Sequence, residues 1–159
     1  MRMETGNATL ERMHVASPSF ENAARIPAHF TCDGANTSPA FALSDVPENA
    51  KSLALIVTDP DAPRETWTHW TAWNIDPKTD LVAENTIPPG SVQGVTSFGK
   101  PGYGGPCPPS GVHRYFFTFY ALDAFLDIPA TADRIGLEMA MQGHVIAKAE
   151  FMGTYGREQ

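Results

Sequence analysis

Cysteine is scarce in this chain: Cys32 and Cys107 are the only two. That is too few for the bridge-dense framework of a small secreted domain, and their spacing matches no zinc knuckle. Long apolar runs are absent from the start of the chain, where Met1 to Met13 includes Glu4, Glu11 and Arg12. This stretch reads as neither a secretory signal nor a membrane span, so a cytoplasmic location is expected, and with it two reduced thiols. Basic residues are outnumbered, 11 against 18 acidic ones, for a net charge of -7. Because phosphate backbones are held chiefly by Lys and Arg, nucleic acid is excluded as a partner and stable membrane insertion is not expected. Internal repeats, low-complexity tracts and Ser/Gly-rich linkers are missing too. The chain therefore reads as a single domain over 1–159, with residues 1–12 as a frayed segment.

Turn formers and aromatics are abundant. Pro 14 and Gly 13, with Phe 9, Tyr 4 and Trp 3, favour short strands and many turns over a helical bundle, and the fold class expected is mainly β. A first strand begins within Leu10 to Val15. Ser52 to Thr58 is a buried strand that delivers Asp59 at its end, where Pro60 turns the chain outwards. Trp67 to Ile75 follows, with His69, Thr71, Trp73 and Ile75 on one face by strict alternation and Trp70 and Ala72 on the other. Val112 to Leu122 is apolar on both faces and should lie centrally, with His113 and Tyr115 on one side at its entrance. His144 to Thr154 alternates as a closing strand. Leu81 to Ile87 reads as weakly extended or a short helical turn, and Ser91 to Gly111 as an ordered loop without regular structure. One main helix is expected near 131–142, with Thr131 as N-cap, Asp133 in the first turn and Gly143 as the stop.

Two Pro- and Gly-rich stretches carry the chemistry: Asp59-Pro60-Asp61-Ala62-Pro63 with Trp67-Thr68-His69-Trp70, and Gly104-Gly105-Pro106-Cys107-Pro108-Pro109-Ser110-Gly111 with His113-Arg114-Tyr115. A metal site of two His and a carboxylate lacks local ligand spacing. A nucleophile at Ser110 or Cys107 beside His113 would need an orienting acid from Asp59 or Asp61, yet no strand-to-helix elbow presents it. An anion pocket fits the residue types best: imidazole N–H groups, the Tyr115 hydroxyl and backbone N–H groups donate to oxyanion oxygens, while stiff turns hold them in place. Arg114, opposite His113 on the pleat, reads as a salt-bridge partner, and His14, His29 and His144 as surface or structural residues. Because Cys32 and Cys107 both flank pocket-side loops, a disulfide is the alternative to free thiols, excluded if their Cα atoms lie beyond about 7 Å.

Taken jointly and in this order, Thr31-Cys32-Asp33-Gly34, Asp59-Pro60-Asp61-Ala62-Pro63, Thr68-His69-Trp70, Gly105-Pro106-Cys107-Pro108-Pro109-Ser110-Gly111, His113-Arg114-Tyr115 and Gly143-His144 with Gly153-Thr154-Tyr155-Gly156 resemble the phosphatidylethanolamine-binding protein family, in its prokaryotic Raf-kinase-inhibitor-like branch. The resemblance implies a large antiparallel sheet packed on a smaller one and a pocket for phosphate, a phospho-monoester head group or a carboxylate. Carried over by residue, it implies Asp59 as the pocket acid with Asp61 beside it, His69, His113 and Tyr115 as ligand contacts, Trp67 as a wall, and a lip including Gly105, Pro106 and Pro108. It implies no catalysis, no metal and no cofactor. The alternative it leaves is a protein-interaction module that inhibits a kinase or peptidase through the pocket rim, and a homodimer is compatible with either. Thr68 stands where many eukaryotic members have a further histidine, and the chain ends soon after Tyr155, so kinase inhibition of the animal type is not expected.

Overall fold

The computed structural model describes residues 11–157. The expected fraying of residues 1–10 lies outside the described residues, but Glu11–Arg12 (β1) is already a strand, paired in parallel with Ala147 and Lys148. His14–Ala16 (β2) then crosses to a second sheet, pairing with Phe41–Ser44 (β3). Leu81–Val82 (β6) closes that three-stranded sheet in the order β2-β3-β6. The larger sheet has six strands in the order β1-β9-β8-β4-β5-β7, where β4 is Ser52–Asp59, β5 Trp67–Ile75, β7 Val92–Gln93, β8 His113–Leu122 and β9 Val145–Tyr155. All its pairings except β1 with β9 are antiparallel. The two-sheet, mainly β architecture expected from the sequence is the one observed.

β4 and β8 are apolar on both faces because both faces of the central sheet are covered. On one side Leu53, Leu55, Val57, Phe117, Phe119 and Phe151 pack against Phe20, Ile26 and Phe41. On the other, Ala54, Ile56, Trp73 and Leu122 pack against Leu126, Leu137 and Met141. The last two come from α1 (Arg134–Met141), the expected helix. Its N-cap is Asp133 rather than Thr131: the Asp133 carboxylate accepts from the Gly136 amide at 2.9 Å, two residues later than the sequence signal, because Pro129 and Ala132 form a turn first. Gly143, at φ 81°, takes the left-handed conformation that stops the helix.

Two expectations about β5 and the loop after it need correction. β5 does not alternate strictly: its register against β4 shifts twice, between Leu53 and Leu55 and between Val57 and Thr58. The first shift places Asn74, at φ 59°, in an extra position, so Ile75 joins Trp70 and Ala72 in one core while Trp73 serves the other. The loop after β6 also contains a strand, since Val92 and Gln93 pair with Trp73 and Ala72 at the sheet edge. Two residues are too short to leave a periodic signal.

Candidate functional site

Three neighbouring strand ends make the floor. β4 pairs with β8 through Val57 to Phe117 and Thr58 to Phe116, and one further step sets Asp59 beside Tyr115, on the face that buries Leu55 and Val57. On the other flank Asp59 pairs with Trp67 and Thr58 with Thr68, whereas Val57 pairs with Trp70. His69 is thus the unopposed residue of a β-bulge. Strict alternation would send His69 and Trp70 to opposite faces; the bulge re-aims the imidazole to the side of Asp59. His69, His113, Tyr115 and Asp59 all end up buried, Tyr115 to 1% exposure.

These groups are tied in two different ways. Nδ1 of His113 lies 2.6 Å from Oδ2 of Asp59, and since a carboxylate only accepts, the ring donates. The other oxygen of Asp59 accepts from the Asp61 amide at 2.8 Å, which fixes the turn made by Pro60. Nδ1 of His69 instead donates to the Gly104 carbonyl at 2.6 Å, and the Gly104 amide returns a bond to the His69 carbonyl at 3.0 Å. The Tyr115 ring lies between the imidazoles, 5.2 Å from His69 and 6.4 Å from His113. Its hydroxyl is sealed in the protein and faces the Asp59 carboxylate without a short, well-aligned hydrogen bond to it. Burial above all, then the charge of Asp59, pushes the pKa of Tyr115 up, so the phenol keeps its hydrogen. Burial is also the largest influence on His69 and pushes its pKa down.

The lip is clamped from behind. The Cys32 amide donates to the Pro106 carbonyl at 3.1 Å, the Gly105 amide to Oδ1 of Asn36 at 2.9 Å, and the Tyr103 hydroxyl to the Phe30 carbonyl at 2.7 Å. Cys32 and Cys107 form a disulfide with their Cα atoms 5.4 Å apart. This corrects the reading of two reduced thiols, and it removes Cys107 as a nucleophile. The spacing in sequence held no clue: a separation of 75 residues closes only because two loops stack. Asp33, next to Cys32, accepts from the Tyr155 hydroxyl at 2.6 Å and from Arg157 at 3.0 Å, which ties the same loop to the end of β9.

Within this frame lies a cavity of about 260 Å³ lined by Asp59, Trp67, His69, Pro108, His113 and Tyr115 from among the expected residues. Three expected residues are not in its lining. Asp61 turns away to Arg114, which donates to its carboxylate through Nε at 2.9 Å and Nη2 at 2.8 Å. Those bonds, first the side-chain ones, pull the Asp61 pKa down to about 2. Gly105 and Pro106 lie behind the lip, where a Cβ on Gly105 would run into the Phe30 carbonyl and Asn36. The cavity also takes in Ala62, Pro63, Phe98, Cys107 and Pro109. Of these Phe98 had a signal, a lone aromatic in a Gly-rich loop; its ring meets Trp67 and His69 edge-on at 5.6 and 5.4 Å. A wider depression of about 530 Å³ lies beyond Pro108 and Pro109, but its charged residues, Asp33 and Arg157, bond each other at 3.0 Å. Among the described residues no group of three or more His, Cys, Asp or Glu is placed to hold a metal ion.

A family model for the phosphatidylethanolamine-binding protein matches residues 16–156. The chain belongs to the phosphatidylethanolamine-binding protein family. Its relatives include a UPF0098 protein of Methanothermobacter thermautotrophicus, 49% identical over 91% of this chain and 99% of that protein. A UPF0098 protein of Aquifex aeolicus is 44% identical over 92% of this chain and 90% of that one. Two crystal structures share the fold. A phosphatidylethanolamine-binding protein homologue of Chlamydia trachomatis superposes with a TM-score of 0.88 at 43% identity, covering 92% of this chain and 98% of that one. Escherichia coli YbcL, a member of the mammalian phosphatidylethanolamine-binding protein family, gives 0.86 at 31% identity over 92% and 99%. These matches place the chain in the prokaryotic branch of the family.

Proposed function

We propose that this chain is a binding protein, not an enzyme, whose pocket receives a small oxyanion: a phosphate, a phospho-monoester head group or a carboxylate. The observation that carries this reading is the convergence of His69, His113 and Tyr115 on one cavity beside Asp59. Polar rings serve an oxygen-rich ligand, and the mixed lining of Trp67, Phe98 and Pro108 receives its carbon-bearing side. His113 adds a donor at Nε2 when its ring carries both hydrogens, a state in which the Asp59 carboxylate lies opposite a positive ring. Nucleophilic catalysis by Cys107 is not favoured, because its sulfur is bridged to Cys32.

Calorimetric titration with inorganic phosphate and with phosphoethanolamine tests the reading. We expect binding by the wild-type chain and its loss in His69→Ala; absence of heat with either ligand at millimolar concentration overturns it. The alternative, inhibition of a kinase or peptidase by the rim, draws on Phe98, 42% exposed at the mouth, and would show as a partner whose capture is indifferent to His69→Ala and lost in Phe98→Ala. The expected cytoplasmic location rests on residues 1–13, most of which lie outside the described residues, whereas a disulfide is a link that oxidising compartments preserve. Among the described residues no helix is long and apolar enough to cross a membrane. Fractionation with thiols trapped by alkylation at lysis decides the compartment.

A further inference from the structure

The geometry points to a pocket that selects an oxyanion still carrying a hydrogen, such as a phosphate monoester in its monoanionic form, over an equally charged oxyanion that has none, such as a sulfate ester. This inference rests on the anion-pocket reading and adds which protonation state the pocket recognises.

The two histidines donate through Nδ1 to different acceptors, His113 to the Asp59 carboxylate and His69 to a backbone carbonyl. Nδ1 of His69 faces the Gly104 carbonyl at 2.6 Å, and a carbonyl can only accept, so the hydrogen of the neutral ring sits on Nδ1. Nε2 then presents a lone pair. It has no hydrogen-bond partner among the described residues and is not one of the sealed polar atoms, in a residue that lines the cavity.

The surroundings keep the ring neutral. Phe98 and Tyr115 pack edge-on against it at 5.4 and 5.2 Å, and His69 is only 4% exposed. The charged and titratable groups around it are Asp59 from β4, and His113 and Tyr115 from β8. Burial, the largest influence, lowers the His69 pKa and His113 adds to this; the Gly104 and Gly105 carbonyls and the Asp59 charge pull the other way without overcoming it. The cavity therefore offers an acceptor at His69. A bare sulfate-type oxygen would set its lone pairs against that of His69. A P–OH group instead donates to Nε2. Binding of this kind moves no proton and makes no covalent bond.

Methyl phosphate and methyl sulfate separate the possibilities, because near pH 6 the methyl phosphate monoanion matches methyl sulfate in charge and closely in shape and differs by one hydrogen. Calorimetry on the full chain at pH 6 should give methyl phosphate at least about a tenfold advantage, the effect of one hydrogen bond to a charged group. Raising the pH to 8 should shrink that advantage severalfold or more, because the second phosphate pKa of about 6 leaves roughly one molecule in a hundred protonated. Methyl sulfate carries no such titration, so its own pH dependence reports the protein's groups alone. In His69→Gln, whose amide can turn an N–H toward the ligand, the ratio should fall toward one, with a thermal melt to show that the variant is folded. Equal affinities for the two esters in the wild-type chain overturn the selectivity and leave the anion pocket standing. Binding of neither overturns the pocket itself. A ratio unchanged in folded His69→Gln overturns the role of His69, and if that variant does not fold, the wild-type ratio and its pH dependence remain the test.

Discussion

Cutting the Cys32–Cys107 bridge should destabilise the protein by about 4–5 kcal/mol while leaving the folded lip in place. The bridge closes a loop with a sequence separation of 75 residues, and the chain-entropy relation for a loop of that length gives about 4.5 kcal/mol at 25 °C. The effect falls on the unfolded ensemble. In the folded state the lip keeps the bonds from Cys32 to Pro106, Gly105 to Asn36 and Tyr103 to Phe30, so no native contact other than the bridge itself has to be surrendered. For a chain of this size the loss corresponds to a fall in Tm of roughly 10–15 °C. The assay is urea unfolding of the oxidised protein, of the protein reduced with a dithiol, and of the Cys32→Ser/Cys107→Ser double variant. The reduced and doubly substituted forms should agree, with a lower midpoint and a somewhat larger m value because the open unfolded chain exposes more surface. A difference below about 1 kcal/mol, or two alkylatable thiols in unreduced, denatured protein, refutes the reasoning.

Three other perturbations probe separate parts of the argument. Tyr115→Phe removes a sealed hydroxyl that makes no short, well-aligned hydrogen bond, so stability should change by no more than about 1 kcal/mol; a thermal melt reads the effect, and a larger loss would show that the hydroxyl is firmly bonded in the folded protein. Gly105→Ala drives a Cβ into the Phe30 carbonyl and Asn36 and should cost about 1–3 kcal/mol; urea unfolding at wild-type stability would show that the lip is looser than described. For Asp61, whose folded pKa of about 2 lies below the unfolded value of 3.8, the ion pair with Arg114 contributes fully above about pH 4 and is lost as pH falls through about 2. Solvent at the half-exposed Arg114 limits this to about 1 kcal/mol or less. Asp61→Asn should accordingly flatten the acid limb of stability between pH 4 and 2, and an identical slope in the variant sinks the pair's role.

The long strands were legible because β4, β5, β8 and β9 each carry enough apolar or alternating residues to be seen without tertiary context. Asp59, His69, His113 and Tyr115 could be named for a related reason: they stand at or near the ends of those strands, close to the Pro- and Gly-rich turns that bound them. What eluded the sequence was set by contacts distant along the chain. The disulfide depends on the stacking of loop 31–36 behind the lip. The departure of Asp61 depends on Arg114, which was legible as a salt-bridge partner but not as the partner of this carboxylate. The double register shift in β5 has no compositional mark beyond Asn74, a residue type that tolerates positive φ. Strict alternation therefore misassigned Trp73 and Ile75, and could not explain how His69 reaches the same face as Asp59.

That bulge bears directly on specificity. A straight β5 would leave the pocket with one imidazole, His113, already committed to a carboxylate, and with the Tyr115 hydroxyl. Such a site would offer a ligand no second imidazole and would take any small anion that fits. Inserting one residue turns a second ring into the cavity, and the lip then fixes that ring's hydrogen on the far nitrogen through the Gly104 carbonyl. The floor thereby acquires an acceptor among its donors without acquiring a charge. Because the ring is held by a loop carbonyl and not by a strand, the acceptor is only as well placed as the lip. On the proposed anion-pocket reading, the bridge at Cys107, three residues along from Gly104, serves recognition as well as stability, because it limits how far that carbonyl can drift from His69.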